Sequence, residues 1–250
     1  MPEGHLLHRH AREQRAALAG RVLRASSPQG RFDAAPYDGR VLAAVGAWGK
    51  NLLYDVADAP TLHVHLGMRG LFLRYEDTTA TPPRGTRLWL AGDGAAFALI
   101  APSRCEPLTP AGRTALLASL GPDPLRDGAA RREEAVHRLL AARGAVGAAV
   151  VEQGVWAGLG NAWRAELLFL AGVDPARPVA RLDAEEAGAI WDLAVELLPL
   201  GRDAGQVVSD PAAPDERWVY KREACRRCGA PVRVSRVGGR TAYTCPAEQR

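Results

Sequence analysis

VVEQGVWAGLGNAWRAELLF, residues 150–169, joins a glycine-punctuated turn to an unbroken helical run, and the organisation of the chain can be read outward from it. Gly158 and Gly160 let backbone come close to a neighbour, and Asn161 is a residue type that caps helices. The expected structure is a turn, an Asn161 cap and a helix whose first N–H groups are open to an anion. Gly-x-Gly-Asn is weak as a bare pattern, so its meaning depends on its surroundings.

Around this stretch, residues 129–200 are rich in Ala, Leu, Glu and Arg and are helical in character, with glycine interruptions at 144–147 and 158–160. Residues 21–100 instead break into short β-type runs: RVLRA, RVLAAVGAW, NLLYDV, TLHVHL, GLFLRY, RLWLA and AAFALI. Gly, Pro and Asp separate them, and Gly92-Asp93-Gly94 is placed as a hairpin turn. Many short strands at this spacing predict an antiparallel sandwich or barrel. Ahead of them, HLLHRHAREQRAAL (5–18) suits a helix with Leu7, Ala11 and Leu18 on one face and Gly20 as its stop. GPDPL (121–125) reads as a linker, and 201–216 as a polar connection. Residues 217–250 are too few to bury a core of their own and call for a staple. The expectation is an α+β multidomain chain: an N-terminal helix plus antiparallel β-sandwich over 1–120, a helical domain over 126–205 and a small C-terminal unit over 217–250.

Composition narrows the function classes. The opening Met-Pro-Glu-Gly-His has neither a cationic stretch nor an apolar one, and no apolar run reaches membrane-spanning length, so a cytoplasmic protein without a membrane partner is expected. The net charge of +4 is unevenly spread. Residues 217–250 hold nine Lys/Arg against Glu223 and Glu248, about +7, which leaves about −3 for the rest. A basic tail on a mildly acidic body is the footprint of a phosphate-contacting module. Of 32 basic side chains only Lys50 and Lys221 are lysines, so each lysine stands out against an arginine background.

Two constellations carry chemistry. Once Met1 is removed, Pro2 presents a secondary amine, which attacks an aldehyde-like carbon to give an iminium directly. A helix start favours its unprotonated form, and Glu3 beside it is a general acid/base. In the tail, Cys225 and Cys228 are two residues apart, sixteen residues precede Cys245, and Glu248 lies two residues beyond. Two Cys pairs at this separation read as structural zinc in a cytosolic protein. With glutamate at the fourth place, the alternatives are a softer three-thiolate, one-carboxylate site (Cys225, Cys228, Cys245, Glu248), an incompletely ligated site, water as fourth ligand, or a hairpin that folds without metal. Cys105, alone in the β region, is assigned to packing.

With PEGH at its start, AWGKNLL at 47–53, HVHLGMRG at 63–70 and the 150–169 stretch, the chain resembles the formamidopyrimidine-DNA glycosylase/endonuclease VIII family over its whole length. PEGH rather than PELP places it on the endonuclease VIII side, where it is most similar to the actinobacterial-type second endonuclease VIII. The resemblance implies a bifunctional DNA glycosylase/AP lyase that removes oxidised bases, pyrimidines foremost, through a Pro2 Schiff base with Glu3 and Lys50 assisting. It implies a helix–two-turn–helix domain and a C-terminal zinc-finger-like β-hairpin holding one structural zinc. It also implies that Met68 and Arg69 fill the gap left by a flipped nucleotide, and that Asn161 and Arg240 grip phosphates. Damaged DNA is the expected partner, met by a monomer. Glu152 stands where the family has Asp, and Glu248 where it has a fourth cysteine. The rival reading is a non-catalytic damaged-DNA-binding descendant of the family, motivated by that missing cysteine; Pro2, Glu3 and Lys50 weigh against it. A generic zinc-ribbon factor would explain the tail but neither PEGH nor AWGK.

Overall fold

The computed structural model describes residues 2–250. The chain divides into two compact units, one of Leu7–Ala118 with the residues up to Glu3, the other of Ser119–Arg250 with Gly4–Leu6.

The first unit begins with helix α1 (Gly4–Leu18), whose first turn groups with the second unit. Strands β1 (Arg24–Ser26), β2 (Leu42–Trp48), β3 (Asn51–Val56) and β4 (Thr61–His65) follow. Then come β5 (Leu71–Tyr75), β6 (Thr86–Ala91), β7 (Ala96–Ile100), β8 (Arg104–Leu108) and helix α2 (Pro110–Ala118). The strands form two antiparallel sheets, ordered β1-β6-β7-β5 and β2-β3-β4-β8. Leu7, Ala11 and Leu18 recur at helical spacing and are buried in one core with Leu52, Tyr54, Val64, Leu90, Phe97 and Leu99 from both sheets. As expected, Gly92–Gly94 turns β6 into β7, with the Gly92 N–H donating to the Ala95 carbonyl. β8 has no counterpart in the sequence reading. Its text, RCEPL, lacks apolar alternation, and Pro107 is tolerated because β8 is an edge strand.

The second unit contains α3 (Arg132–Ala141), α4 (Val146–Ala149), α5 (Asn161–Leu170), α6 (Ala184–Ala204) and the hairpin β9 (Arg233–Val237)–β10 (Arg240–Thr244). Trp156, Trp163 and Trp191 are fully buried, with Leu139, Leu168, Ile190 and Leu198 around them. Asp183 and Glu186 close a capping box at the start of α6. GPDPL is not the free linker its composition suggests. Gly121 to Pro124 are buried, the Gly121 N–H donates to Gln153 O, and a Cβ on Gly121 would fall 2.2 Å from Val155 O. Glycine is needed there for backbone-on-backbone packing, which a loop-type composition does not reveal.

Every residue of α5 from Ala162 to Phe169 is buried, including Arg164 and Glu166. The Glu166 carboxylate accepts the backbone N–H groups of Trp218 (2.8 Å), Val219 (3.1 Å) and Tyr220 (2.8 Å), and the Ser209 hydroxyl donates to it as well. Ala165 and Phe169 share a small core with Val219, Cys225 and Cys245. The tail thus folds against α5 rather than on its own. Replacing Glu166 with Gln puts an amide where only acceptors fit, and is expected to lower unfolding stability by about 3 kcal/mol. Denaturant unfolding of E166Q checks this, and a loss below about 0.5 kcal/mol would refute the role given to the carboxylate.

Candidate active site and metal centre

Pro2 is half-buried, and Glu3, the residue before the first turn of α1, is only 2% exposed with extended backbone. The next two residues explain the rest of PEGH. The Gly4 N–H donates to Gly158 O at 2.8 Å, and a Cβ on Gly4 would stand 2.7 Å from the Gly158 Cα. His5 is buried, and its Nδ1 accepts the indole N–H of Trp163 at 2.9 Å. The glycine of the GLGN turn and a tryptophan of α5 therefore meet the first turn of α1. Neither partner of Gly4 or His5 was read from sequence, because both lie some 150 residues away.

Lys50 occupies a two-residue hairpin between Trp48 and Asn51, with Gly49 at φ +57 and Lys50 itself outside the left-handed region, the pattern of a type II′ turn. Behind it, the buried Asn51 donates to Trp48 O and meets His63 Nε2 at 2.9 Å; His63 Nδ1 lies 3.2 Å from Glu106. One residue pair along, His65 Nδ1 accepts the Gly67 N–H at 3.0 Å and lies 2.9 Å from the Ser103 hydroxyl. The two strand histidines are thus held by protein groups. Met68, just beyond, is 74% exposed, and Arg69 is exposed too. Met68 is therefore not a core residue of the sandwich.

Asn161 does not cap α5. It is the first residue of the helix, and the cap position is Gly160, which has no side-chain cap bond. The Asn161 amide instead donates to Thr241 O at 2.9 Å and accepts from Arg164. Arg164 also donates to Gly147 O, Val237 O and Thr241 O. These bonds fix the β9–β10 turn, at whose end Arg240, exposed, opens β10 opposite Val237.

Cys225, Cys228 and Cys245 bring their sulfurs within 4.8 Å of one another, the one such ligand group among the described residues. Glu248 does not join them: its carboxylate accepts from Arg227 Nη1 at 3.2 Å. Of the expected ligand set, the three cysteines lie close enough together to hold a metal ion, and Glu248 is not grouped with them.

Residues 1–104 match the family model for the formamidopyrimidine-DNA glycosylase N-terminal domain, and residues 120–210 that for the formamidopyrimidine-DNA glycosylase H2TH domain. The chain belongs to the formamidopyrimidine-DNA glycosylase/endonuclease VIII family. "Endonuclease 8 1" of Mycobacterium tuberculosis is 36% identical to it over the full length of both chains. "Probable endonuclease 8 2" of Streptomyces coelicolor is 34% identical, covering 100% of this chain and 94% of the relative. Relatives of the first and second kinds thus both appear. In fold, the chain is similar to Lactococcus lactis Fpg solved with DNA containing an abasic site: TM-score 0.80 over 99% of each chain, at 21% identity. Membership of this family makes the protein a DNA glycosylase and AP lyase of base excision repair. Among the described residues no helix is long and apolar enough to cross a membrane.

In this glycosylase the turn that bears Met68 hangs on a histidine. Burial lowers the His65 pKa, and neighbouring His63, Lys50 and Arg104 lower it further. Neutral His65 can take the Gly67 N–H on Nδ1; the protonated ring cannot. The unfolded histidine titrates near 6.5 and the folded one lower, so this stability is present above that pH and lost as pH falls through the folded value. His65→Asn, whose amide oxygen reaches the same N–H without titrating, is expected to flatten the decline in Tm between about pH 7.5 and 5.5. Parallel wild-type and H65N profiles would remove His65 from the account.

Proposed function

We propose that this glycosylase removes oxidised pyrimidines, and opens abasic sites, through a covalent iminium between Pro2 and deoxyribose. The observation that carries the reading is the anchoring of the first turn: Gly4 is bonded to Gly158 and His5 to Trp163, directly behind a buried Glu3. Such fixation serves a terminus that must present its amine in one place.

In this scheme the Pro2 nitrogen attacks C1′, the bond from C1′ to the base breaks, and the base leaves with the proton that the amine gives up; Glu3 then protonates the ring oxygen O4′ as the C1′–O4′ bond opens, which leaves an iminium between Pro2 and C1′. The iminium acidifies C2′–H. Loss of that proton expels the 3′ phosphate by β-elimination, and a further proton loss expels the 5′ phosphate by δ-elimination. Water then releases Pro2. Lys50, at the tip of its two-residue hairpin, assists near the lesion. Met68 and Arg69, exposed on one turn, fill the gap in the base stack, for which a flexible apolar side chain is suited. Asn161 and Arg240 are the phosphate contacts; Asn161 combines that role with holding the β9–β10 turn.

The scheme requires removal of Met1, which lies outside the described residues. Borohydride reduction of wild type on thymine-glycol or abasic duplex DNA is expected to trap a stable adduct, and Pro2→Ala to trap none. Adduct formation by P2A at the wild-type level, or intact Met1 on active protein by mass spectrometry, would overturn the assignment. A wild-type protein that binds this DNA without cleaving it would favour the non-catalytic reading. Gly4→Ala, which forces Gly4 and Gly158 apart, is expected to lower incision by roughly 100-fold while damaged-DNA binding persists. Wild-type incision by G4A would show that the anchoring is not used.

A further inference from the structure

The C-terminal cysteine cluster matches a metal ion in three donors and withholds the fourth. The Cys228 and Cys245 sulfurs are 3.5 Å apart. Two thiolates on a tetrahedral zinc, each about 2.3 Å from it, stand about 3.8 Å apart, so the cluster fits one such ion. Glu248 occupies the sequence position of a fourth ligand, yet its carboxylate is committed to Arg227. Arg227 is itself fixed, with its guanidinium 4.6 Å from the Phe169 ring centre and 5.2 Å from that of Trp218; the two rings stack at 5.7 Å. The backbone at 248 is equally constrained. The Glu248 N–H donates to Cys245 O, and the side chain of the next residue, buried Gln249, accepts the Cys245 N–H and donates to Val173 O. Bringing the Glu248 carboxylate to the sulfurs would cost these bonds and strip the stacked arginine of its acid. Cys228 is exposed, so the cluster is open to solvent on that side.

We propose that this site holds zinc through Cys225, Cys228 and Cys245 alone, that an exchangeable small ligand from solvent, water or an anion, takes the fourth coordination position, and that Glu248 serves as the partner of Arg227. Bound zinc there cross-links the tail. A three-thiolate site with an exchangeable fourth ligand gives up its metal more readily than a closed four-thiolate one.

Cobalt(II) substituted into the full-length protein reads both halves of this statement. Its visible bands report on the fourth ligand, and its thiolate charge-transfer band reports on the sulfurs. Azide titration is expected to shift the visible bands, and Glu248→Ala is expected to leave the spectrum unchanged and cobalt affinity within about twofold of wild type. Visible bands indifferent to azide, or a roughly tenfold loss of affinity in E248A, would overturn the proposal. So would the absence of any thiolate charge-transfer band on adding cobalt.

Discussion

Helix α5 carries an arginine and a glutamate into surroundings nearly empty of water, and neither can stay there without a full set of partners. Each finds them in backbone. Glu166 gathers three successive N–H groups of the 218–220 segment, and Arg164 reaches carbonyls at 147, 237 and 241. Charge-assisted bonds of this kind contribute about 1.5–3 kcal/mol each, and breaking either set leaves an uncompensated buried group. The requirement is stringent: the tail must arrive in one register or the helix cannot be buried. One element thereby fixes both the turn that presents Arg240 and the segment leading into the cysteine knuckle.

The same helix reaches the other end of the chain. Trp163, one position before Arg164, is fully buried and gives its indole N–H to His5. The GLGN turn that leads into α5 gives the Gly158 carbonyl to Gly4. Residues that look like a phosphate-binding motif in the sequence thus have a structural duty, holding the first turn of α1. This accounts for glycine at 4 without appeal to DNA, since a methyl group there would run into Gly158 backbone, and Gly158 itself holds φ +100, a conformation that favours glycine.

What the sequence disclosed and what it hid follow from the range of the interactions. The apolar face of α1, the run of strands and the Gly92–Gly94 turn are local patterns with a fixed period, and they were legible. β8 was not, because an edge strand with a proline and two charged residues has no alternation to detect. GPDPL misled because its composition is that of a loop while its packing against 153–157 depends on distant residues. Asn161 misled for a related reason: at a helix start its side chain has a local option, the cap, and a non-local one, Thr241 and Arg164, and the latter prevails. Arg164 and Glu166 look in sequence like two surface charges on a helix. Only the three-dimensional arrangement of backbone donors and acceptors shows them as buried charges, each held by several backbone groups. At the candidate active site, the sequence offers Pro2, Glu3 and Lys50 as residue types suited to the chemistry, whereas the buried His63–Asn51 contact beneath the Lys50 hairpin has no local signal.

The substitution of a fourth cysteine by glutamate becomes intelligible on this footing. A segment of some thirty residues was expected to need a metal because it cannot enclose a core. Here it borrows one: Phe169 and Ala165 of α5 pack with Val219, Cys225 and Cys245. It is further tied by Glu166, by Arg164, and by Gln249 spanning Cys245 and Val173; the Arg250 N–H adds a bond to Gly172 O. With so many ties outside the knuckle, a metal held by the three cysteines would be one fastening among several, and the demand for a complete set of protein ligands relaxes. Position 248 is then free to answer a different need, the charge of an arginine already stacked against Phe169 and Trp218. A carboxylate fills that need and a thiol does not, so the loss of a ligand and the gain of an ion pair are the same change seen from the two sides of residue 248.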